Sequence, residues 1–225
     1  MDELLKDLFK AYFTARKNKR NTINALRFEI NFEHNLIELN DEIVSGNYQP
    51  RPGICFIVNK PVKREIFAAD FRDRIVHHLI FNYISPVFEK HFINDSYSCR
   101  KGKGTSYGIK RVSHFIRTCS ENYQKDCYIL KMDIQGYFMS IDKKILFNLV
   151  SDTLDNHSET ASFALPLVKE LIKKTYSMIP LKITSRKGNA PIGLDYLRQK
   201  AFFIQKKTGA CQSETLLHNC SATFI

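Results

Sequence analysis

A mostly apolar, strand-like run ends at an aspartate, which is the sharpest candidate for chemistry in this sequence. Residues 128–132 lead into Asp133, and Ile134, Gln135 and Gly136 follow. A carboxylate at the tip of a strand can hold Mg²⁺ over substrate phosphates. Two-metal phosphoryl transfer needs such carboxylates to hold ions that bridge the attacking and leaving oxygens. A lone aspartate after a strand is more often a turn residue or a helix cap, so the residue alone leaves both interpretations open.

Basic residues form the second candidate group. The chain has 34 Lys and Arg against 23 Asp and Glu, a formal net charge of +11 and a pI near 9.3. Such a surplus attracts phosphate backbones or anionic membranes, although many proteins are basic without binding either. Two clusters stand out, one with Lys60, Lys63 and Arg64 and one that reads Arg-Lys-Gly-Lys-Gly at 100–104. The alternatives are solvated charges on an edge strand and a flexible basic loop.

The elements that must position these residues follow from hydrophobic periodicity and breaker residues. Alternation of Ile54, Phe56 and Val58 indicates a strand, and a turn near 59–61 indicates a second strand up to residue 67. An amphipathic helix is predicted at 70–90, with a Gly/Ser/Lys loop at 94–108 after it. A short strand is predicted within 127–138. The remaining predicted helices are 2–20, 22–46, 107–121, 141–154 and 161–178.

Composition excludes several classes of protein. A hydrophobic content of 44% and a charged content of 25% are ordinary for a folded chain, so wholesale disorder is excluded. The N-terminal residues do not form a signal peptide, and no apolar stretch is long enough to span a bilayer. The six cysteines form no CxxC pair, which disfavours a zinc site or a disulfide scaffold and favours a reducing cytoplasm. His77 and His78 are expected to pack in a helix rather than to bind metal.

Several motifs, in order, resemble those of bacterial reverse transcriptases. The stretch KMDIQGYFMSI resembles their first catalytic motif, in which an aromatic (here Phe138) follows the aspartate by five residues. Upstream, NKPVKREIFAADFRDRIVHHL resembles the basic strand and D-x-x-D-R-[IV]-V helix start of the fingers, and NDSYSCRKGKGTSYGI resembles the next fingers motif. FEHNLIELNDEIVSGNYQP resembles the segment before the fingers. The resemblance covers roughly residues 25–155, and the order and spacing match those of group II intron, retron and diversity-generating retroelement enzymes, of which the last group and its bacterial relatives look most similar.

The resemblance implies an α+β, right-hand polymerase fold of which this chain holds the fingers and the first half of the palm. The implied divisions are a helical region at 1–50, fingers at 51–126, a partial palm at 127–197 and a tail at 198–225. The implied activity is RNA-directed DNA polymerisation with Mg²⁺. The implied partners are template RNA, primer, dNTPs and a retroelement accessory protein, in the cytoplasm and without a membrane.

The resemblance also implies a role for individual residues. Asp133 would bind both Mg²⁺ ions, with the carbonyl of Ile134 completing one shell, and Phe138 would stack under the deoxyribose. Arg64 would contact the triphosphate, with Lys60 and Lys63 nearby. The template backbone would lie on the 100–104 run through Arg100, Lys101 and Lys103. Arg72 and Arg74 would either serve the template or pair with Asp70 and Asp73, and the sequence does not separate these alternatives.

The second carboxylate motif of the family, Y-x-D-D, is absent from the sequence. Where the family has G-L-P-I-G-N-L-T-S-Q-L-F, this chain has an aperiodic tail. Read across codon boundaries, residues 209–225 permit G-L-P-I-G-N-L-T-S-Q-L-F-S-N-V-Y without interruption. We therefore infer a frameshift near residues 197–200, with 198–225 an out-of-frame tail that was not selected to pack.

We expect this chain to be inactive alone, because the second carboxylate cluster is missing. The principal alternative is a non-catalytic RNA-binding remnant that keeps the basic fingers. A weaker alternative is a basic helical protein whose motif similarity arose by chance.

Overall fold

The computed structural model describes residues 3–17, 22–59, 64–134, 137, 141–157, 165–177, 186–187 and 202–204. The chain divides into two compact units, one from residues 1–90 and 141–192 and the other from residues 91–140 and 193–225. The helices are α1 (Glu3–Arg16), α2 (Ile23–Glu29), α3 (Phe32–Val44), α4 (Phe71–Glu89), α5 (Thr105–Cys119), α6 (Lys143–Asp155) and α7 (Leu165–Ser177). The strands are β1 (Ile54–Val58), β2 (Arg64–Ala68), β3 (Ile129–Lys131), β4 (Arg186–Lys187) and β5 (Phe202–Ile204).

Helices build the core of the first unit. Leu36 of α3, Ile75 and Leu79 of α4 and Val168 of α7 are fully buried, and Leu8 of α1 joins them. Buried residues recur at three- and four-residue spacing within α1, α3 and α4, which places them on one face of each helix. The apolar periodicity that predicted these helices is therefore the periodicity that fills the core.

An aromatic cluster joins α1, α2, α3 and the start of α4. The rings of Tyr12 and Phe32 are stacked with their centroids 5.0 Å apart, and Phe28 meets Phe71 edge-on at 5.6 Å. Offset-stacked and edge-on arrangements are the favoured geometries of aromatic pairs, because they bring the positive edge of one ring to the negative face of another. This cluster fixes the N-terminal helices against α4.

The helix predicted at 22–46 is two helices rather than one. Asn31 leaves helical geometry, with φ −132° and ψ 48°, and becomes the N-cap of α3. Asparagine favours this position because its short polar side chain suits a helix start. Its side chain makes no capping hydrogen bond here. Apolar periodicity continues through the break, which is why the sequence pattern does not show it.

The predicted hairpin is confirmed. β1 and β2 pair antiparallel from Ile54–Ala68 to Val58–Arg64, and β4 pairs with β1 in parallel. Gly53 begins the hairpin where a Cβ would lie only 2.9 Å from the carbonyl oxygen of Ala68, so a side chain there would displace the backbone. Ile54 and Phe56 are exposed while Cys55 is buried, so the alternation that predicted β1 marks its outer face.

Two aspartates at helix starts act as caps. The carboxylate of Asp70 accepts a hydrogen bond from the backbone N–H of Arg72 at 3.1 Å. Asp142 accepts from the N–H groups of Lys144 and Ile145 at 2.8 and 3.0 Å. Each cap satisfies N–H groups that have no partner within the helix. The predicted helices at 70–90 and 141–154 thus begin within a few residues of their predicted starts, and α1, α5 and α7 likewise confirm the other helical predictions.

In the second unit, β5 pairs antiparallel with β3 from Ile129–Ile204 to Lys131–Phe202. The prediction that nothing in the 198–225 tail packs is wrong for these three residues. Phe, Phe and Ile have high strand propensity, and a strand edge pairs through backbone groups that every non-proline residue carries. Pairing of this kind needs no selected side chain. Residues 198–201 and 205–225, with Cys211 and Cys220, lie outside the described residues.

None of the helices in the described part of the chain is both long enough and apolar enough to cross a bilayer.

Candidate functional site

Asp133 lies just beyond β3, which ends at Lys131. Its side chain is exposed, and so are the side chains on either side of it, Met132 and Ile134. The strand is held by backbone pairing to β5, so the carboxylate is presented to solvent from an ordered element. This is the position that the sequence predicted for an aspartate that acts on a ligand.

The described residues provide only part of a Mg²⁺ site. The carboxylate of Asp133 and the carbonyl of Ile134 are oxygen donors of the kind that Mg²⁺ prefers. Among the residues described, no group of three or more His, Cys, Asp or Glu side chains could hold a metal ion. Two-metal chemistry needs further carboxylates to hold the second ion. The donor set at Asp133 therefore does not by itself fit a two-metal centre.

Three of the predicted substrate-binding residues lie outside the described residues: Lys60, Lys63 and Phe138. The backbone of Arg64 begins β2 opposite Val58, so this residue stands at the turn end of the hairpin. The side chain of Arg64 lies outside the description as well. The predicted roles of these four residues therefore remain predictions.

Two residues of the predicted template loop hold the loop itself. The guanidinium of Arg100 donates to the carbonyl oxygens of Ile93 and Ser96 at 2.8 and 3.0 Å. The Nζ of Lys103 donates to the backbone and side-chain oxygens of Asn94 at 2.6 and 2.7 Å. Lys101 is exposed between them. Of the three, Lys101 is the side chain best placed to meet a phosphate backbone.

Asp95 links the loop before α5 to that helix through hydrogen bonds with Arg111. Nε and Nη2 of Arg111 donate to the two carboxylate oxygens of Asp95 at 2.7 and 3.1 Å, and the Tyr97 hydroxyl donates to one of them at 2.6 Å. Arg111 first and Tyr97 second lower the pKa of Asp95 to about 2. Asp95 and Arg111 are 16 residues apart, so no local pattern in the sequence revealed this pair.

We expect the pair between Asp95 and Arg111 to be lost in acid. Because the folded pKa of Asp95 is depressed, its contribution to stability is present above its ordinary pKa of 3.8 and is lost as the pH falls from there toward 2. Hydrogen exchange of the amides in 95–111, measured from pH 5 to pH 2, should show protection falling in that window. Asp95→Asn should show the loss already at pH 5. Equal protection in both proteins at pH 5 would contradict the assignment.

The arginines at the start of α4 differ in their surroundings. Arg72 is buried; its guanidinium pairs with the carboxylate of Glu42 and lies 5.2 Å from the ring centroid of Tyr48. Nε of Arg74 donates to the carbonyl oxygen of Ala69 at 3.1 Å, and its side chain is half-buried. For Arg72 the structure supports the pairing alternative, with Glu42 as the main partner in addition to Asp73. Arg72 is not available to a nucleic acid in this arrangement.

Asp73 is the centre of the same buried network. Its carboxylate accepts a hydrogen bond from the Tyr48 hydroxyl at 2.9 Å and from the backbone N–H of Arg51 at 2.7 Å, and Arg72 lies 3.6 Å away. Burial raises the pKa of Asp73, against the opposing effects of Arg51, Tyr48 and Arg72. Burial, then Asp73, raises the pKa of Tyr48, so its hydroxyl stays a donor. The network ties the segment that leads into the hairpin to α4.

A basic stripe on α5 was not predicted. Lys110, His114 and Arg117 are exposed and follow one another at spacings of four and three residues, which places them on one face of the helix. Ile109, Val112 and Ile116 lie on another face, and no residue of α5 is buried. Helical spacing of the basic residues was the signal that could have revealed this stripe.

Comparisons with known proteins show a distant similarity over part of the chain. No family model matches the chain. The chain is 27% identical over 114 residues to Protein YkfC of Escherichia coli (strain K12). The match covers 50% of this chain and 29% of that protein. The match thus spans less than a third of the length of this curated relative.

Proposed function

We propose that this chain carries the fingers and the first half of the palm of an RNA-directed DNA polymerase of the bacterial retroelement type. The observation that carries the proposal is the ordered series of motifs over residues 25–155, which ends in an aspartate exposed just beyond a strand. The elements agree with that order. A hairpin precedes a helix capped by Asp70, a basic loop precedes α5, and β3 precedes Asp133.

The proposed roles at the metal and the triphosphate follow the family resemblance, and those in the 100–104 loop follow the contacts of its side chains. Asp133 and the Ile134 carbonyl would supply two oxygen donors to a catalytic metal ion, and Arg64 with Lys60 and Lys63, which lie between β1 and β2 in the sequence, would serve the triphosphate. Lys101 contacts the template backbone, while Arg100 and Lys103 shape the loop that presents it. The intact enzyme would add deoxynucleotides to a primer along a template RNA. The further carboxylates of this chemistry are not in the sequence, so we propose that the 225-residue chain is inactive alone.

The test has two parts. The codons for residues 211–215 are read in the neighbouring frame, where the proposal requires P-I-G-N. Primer extension on an RNA template is then measured for the 225-residue chain, for which we expect no product. Extension by this chain that is lost in Asp133→Ala would show that the missing carboxylates are supplied in some other way. Codons that do not give P-I-G-N would remove the frameshift from the proposal.

A second candidate function is RNA binding without catalysis. The observation that favours it is the set of exposed cations in the second unit, Lys101 of the loop and Lys110 and Arg117 of the α5 stripe. Phosphate contacts by such side chains release counterions and supply affinity without reading the sequence. This function needs no second carboxylate cluster.

We expect binding to single-stranded RNA to weaken steeply with salt. Each phosphate contact contributes a slope of about −0.7 to log K against log salt concentration, so Lys101→Ala should reduce the slope by about 0.7. Lys110→Ala with Arg117→Ala should reduce it by about 1.4. Fluorescence anisotropy with a labelled RNA measures both. Lys173→Ala, an exposed lysine of α7, is the matched control and should leave the slope unchanged. A slope that is the same in all variants would exclude these contacts.

A further inference from the structure

The loop between α5 and β3 turns the chain sharply back on itself. Glu121, Asn122 and Tyr123 all have positive φ, at 48°, 57° and 69°. Non-glycine residues rarely adopt this left-handed conformation, and three in succession require support from their surroundings. The support is local: the N–H of Asn122 donates to the carbonyl of Arg117 at 2.8 Å, and that of Lys125 donates to Ser120 at 2.9 Å.

The turn brings two cysteines together. Cys119 is the last residue of α5 and Cys127 lies two residues before β3, so they stand at the two ends of the turn that the hydrogen bond from Lys125 to Ser120 closes, and a hydrogen bond with the Cys119 thiol contributes to the raised pKa of Cys127. Both are free thiols; Cys119 is exposed and Cys127 is half-buried. The spacing of eight residues matches no common cysteine motif, so the sequence alone did not single out this pair.

The buried side chain of Ser120 holds the turn from within. Its hydroxyl accepts a hydrogen bond from the N–H of Tyr123 at 2.9 Å, and Lys125 pairs with Glu121 at 2.6 Å across the loop. The closure of the loop therefore rests on several contacts that do not involve the cysteines. The two thiols meet in the reduced protein, and little of the loop-closure entropy remains to be lost when they are joined.

We propose that Cys119 and Cys127 are a redox-active pair that a small-molecule disulfide such as oxidised glutathione converts into a reversible disulfide bond. Cys119 is the entry point, because it is the exposed thiol of the two. Its thiolate attacks one sulfur of the oxidised glutathione, the glutathione S–S bond breaks, and one glutathione leaves and takes up a proton. Cys127 then loses its proton to water, attacks the sulfur of Cys119 and releases the second glutathione. Two protein thiols are oxidised and one glutathione disulfide is reduced to two thiols.

The order of attack agrees with the surroundings of the two thiols. Burial first and the neighbouring Cys119 second raise the pKa of Cys127, which makes this thiol the less favourable of the two for the first attack. The disulfide bond would link the end of α5 covalently to the residues that lead into β3. Since Asp133 follows β3 by two residues, this cross-link would lie just before the strand that carries the candidate catalytic carboxylate at its end.

The test uses the full chain with Cys211→Ser and Cys220→Ser, which leaves four cysteines. The protein is equilibrated in glutathione buffers of stepped oxidised-to-reduced ratio, quenched with acid, alkylated and digested for mass spectrometry. We expect the number of alkylated thiols to fall from four to two, with a Cys119–Cys127 cross-linked peptide that reductant reverses. Hydrogen exchange in 120–128 should slow in the oxidised form.

Three single variants in the same background make the assignment specific. Cys119→Ser and Cys127→Ser should each abolish the cross-link and leave a mixed disulfide with glutathione on the remaining thiol. Cys99→Ser removes another exposed thiol and should leave the cross-link intact. A cross-link that involves Cys99 or Cys55, or alkylation of both Cys119 and Cys127 at ratios where Cys99 already carries glutathione, would overturn the proposal.

Discussion

Restoring the neighbouring reading frame beyond codon 197 should turn an inactive polypeptide into one that extends a primer, and Asp133→Ala should remove the gain. Under the proposed frameshift, the restored frame would supply the G-L-P-I-G-N segment and any Y-x-D-D motif that lies downstream. Asp133 would then have the carboxylate partners that the present sequence lacks. Loss of a partner outside the first coordination shell already costs about 10–100-fold in activity or metal affinity, so loss of a ligand itself should cost more than about 100-fold.

Primer extension with a labelled DNA primer on an RNA template measures this directly. Asp126→Ala is the matched control, because Asp126 is an exposed aspartate in the same unit, before β3. It should retain the activity of the restored protein. Thermal unfolding of the variants shows whether each one folds. Activity that survives Asp133→Ala, or is lost equally in Asp126→Ala, would argue against a metal ligand at residue 133.

The sequence predicted what is local and periodic. The helices and the hairpin were predictable because their apolar residues recur at helical or alternating spacing, as they do in α4 and β1. The break at Asn31 was not predictable in this way, since the apolar pattern runs through it. The pairing of Phe202–Ile204 with β3 was missed for the opposite reason, because backbone pairing needs no side-chain pattern.

Contacts between distant residues could not be predicted from the sequence, and they decide which charges are available for binding. The +11 charge indicated an anionic partner, but the sequence does not show that Arg100 and Lys103 are engaged with Asn94 and nearby carbonyls. Nor does it show that Arg72 is buried against Glu42. Lys101 and the α5 stripe remain exposed. The structure thus narrows the candidate nucleic-acid contacts to fewer residues than the composition suggested.

Asp73→Ala should be among the most destabilising single changes in the first unit. The carboxylate is buried and accepts hydrogen bonds from Tyr48 and Arg51, so its removal leaves these two donors without their acceptor and leaves the buried Arg72 with Glu42 as its carboxylate partner. Removing one partner of a buried charged pair typically costs about 3–5 kcal/mol. Tyr48→Phe removes only one donor and should cost about 1–3 kcal/mol. Urea unfolding followed by the helical circular dichroism signal measures both.

A double-mutant cycle separates this network from general damage to the core. Tyr48→Phe combined with Asp73→Ala should destabilise by less than the sum of the single changes, because the hydrogen bond can be lost only once. Asp152→Ala, an exposed aspartate of α6, is the matched control and should stay within about 0.5 kcal/mol of the unaltered protein. Additive effects of the two network changes would mean that Tyr48 and Asp73 act independently.

The free energy of unfolding should depend on pH through Asp73, which distinguishes the loss of this network from a simple packing defect. The folded pKa of Asp73 is raised above its ordinary 3.8, so the folded state holds the proton more tightly than the unfolded state. The favourable contribution of Asp73 to the free energy of unfolding is therefore fully present below pH 3.8 and is lost as the pH rises through the folded pKa. The difference in unfolding free energy between the unaltered protein and Asp73→Asn should shrink with rising pH in that window, because asparagine does not titrate. A difference that is constant from pH 3.5 to pH 7 would show that burial does not perturb this carboxyl group.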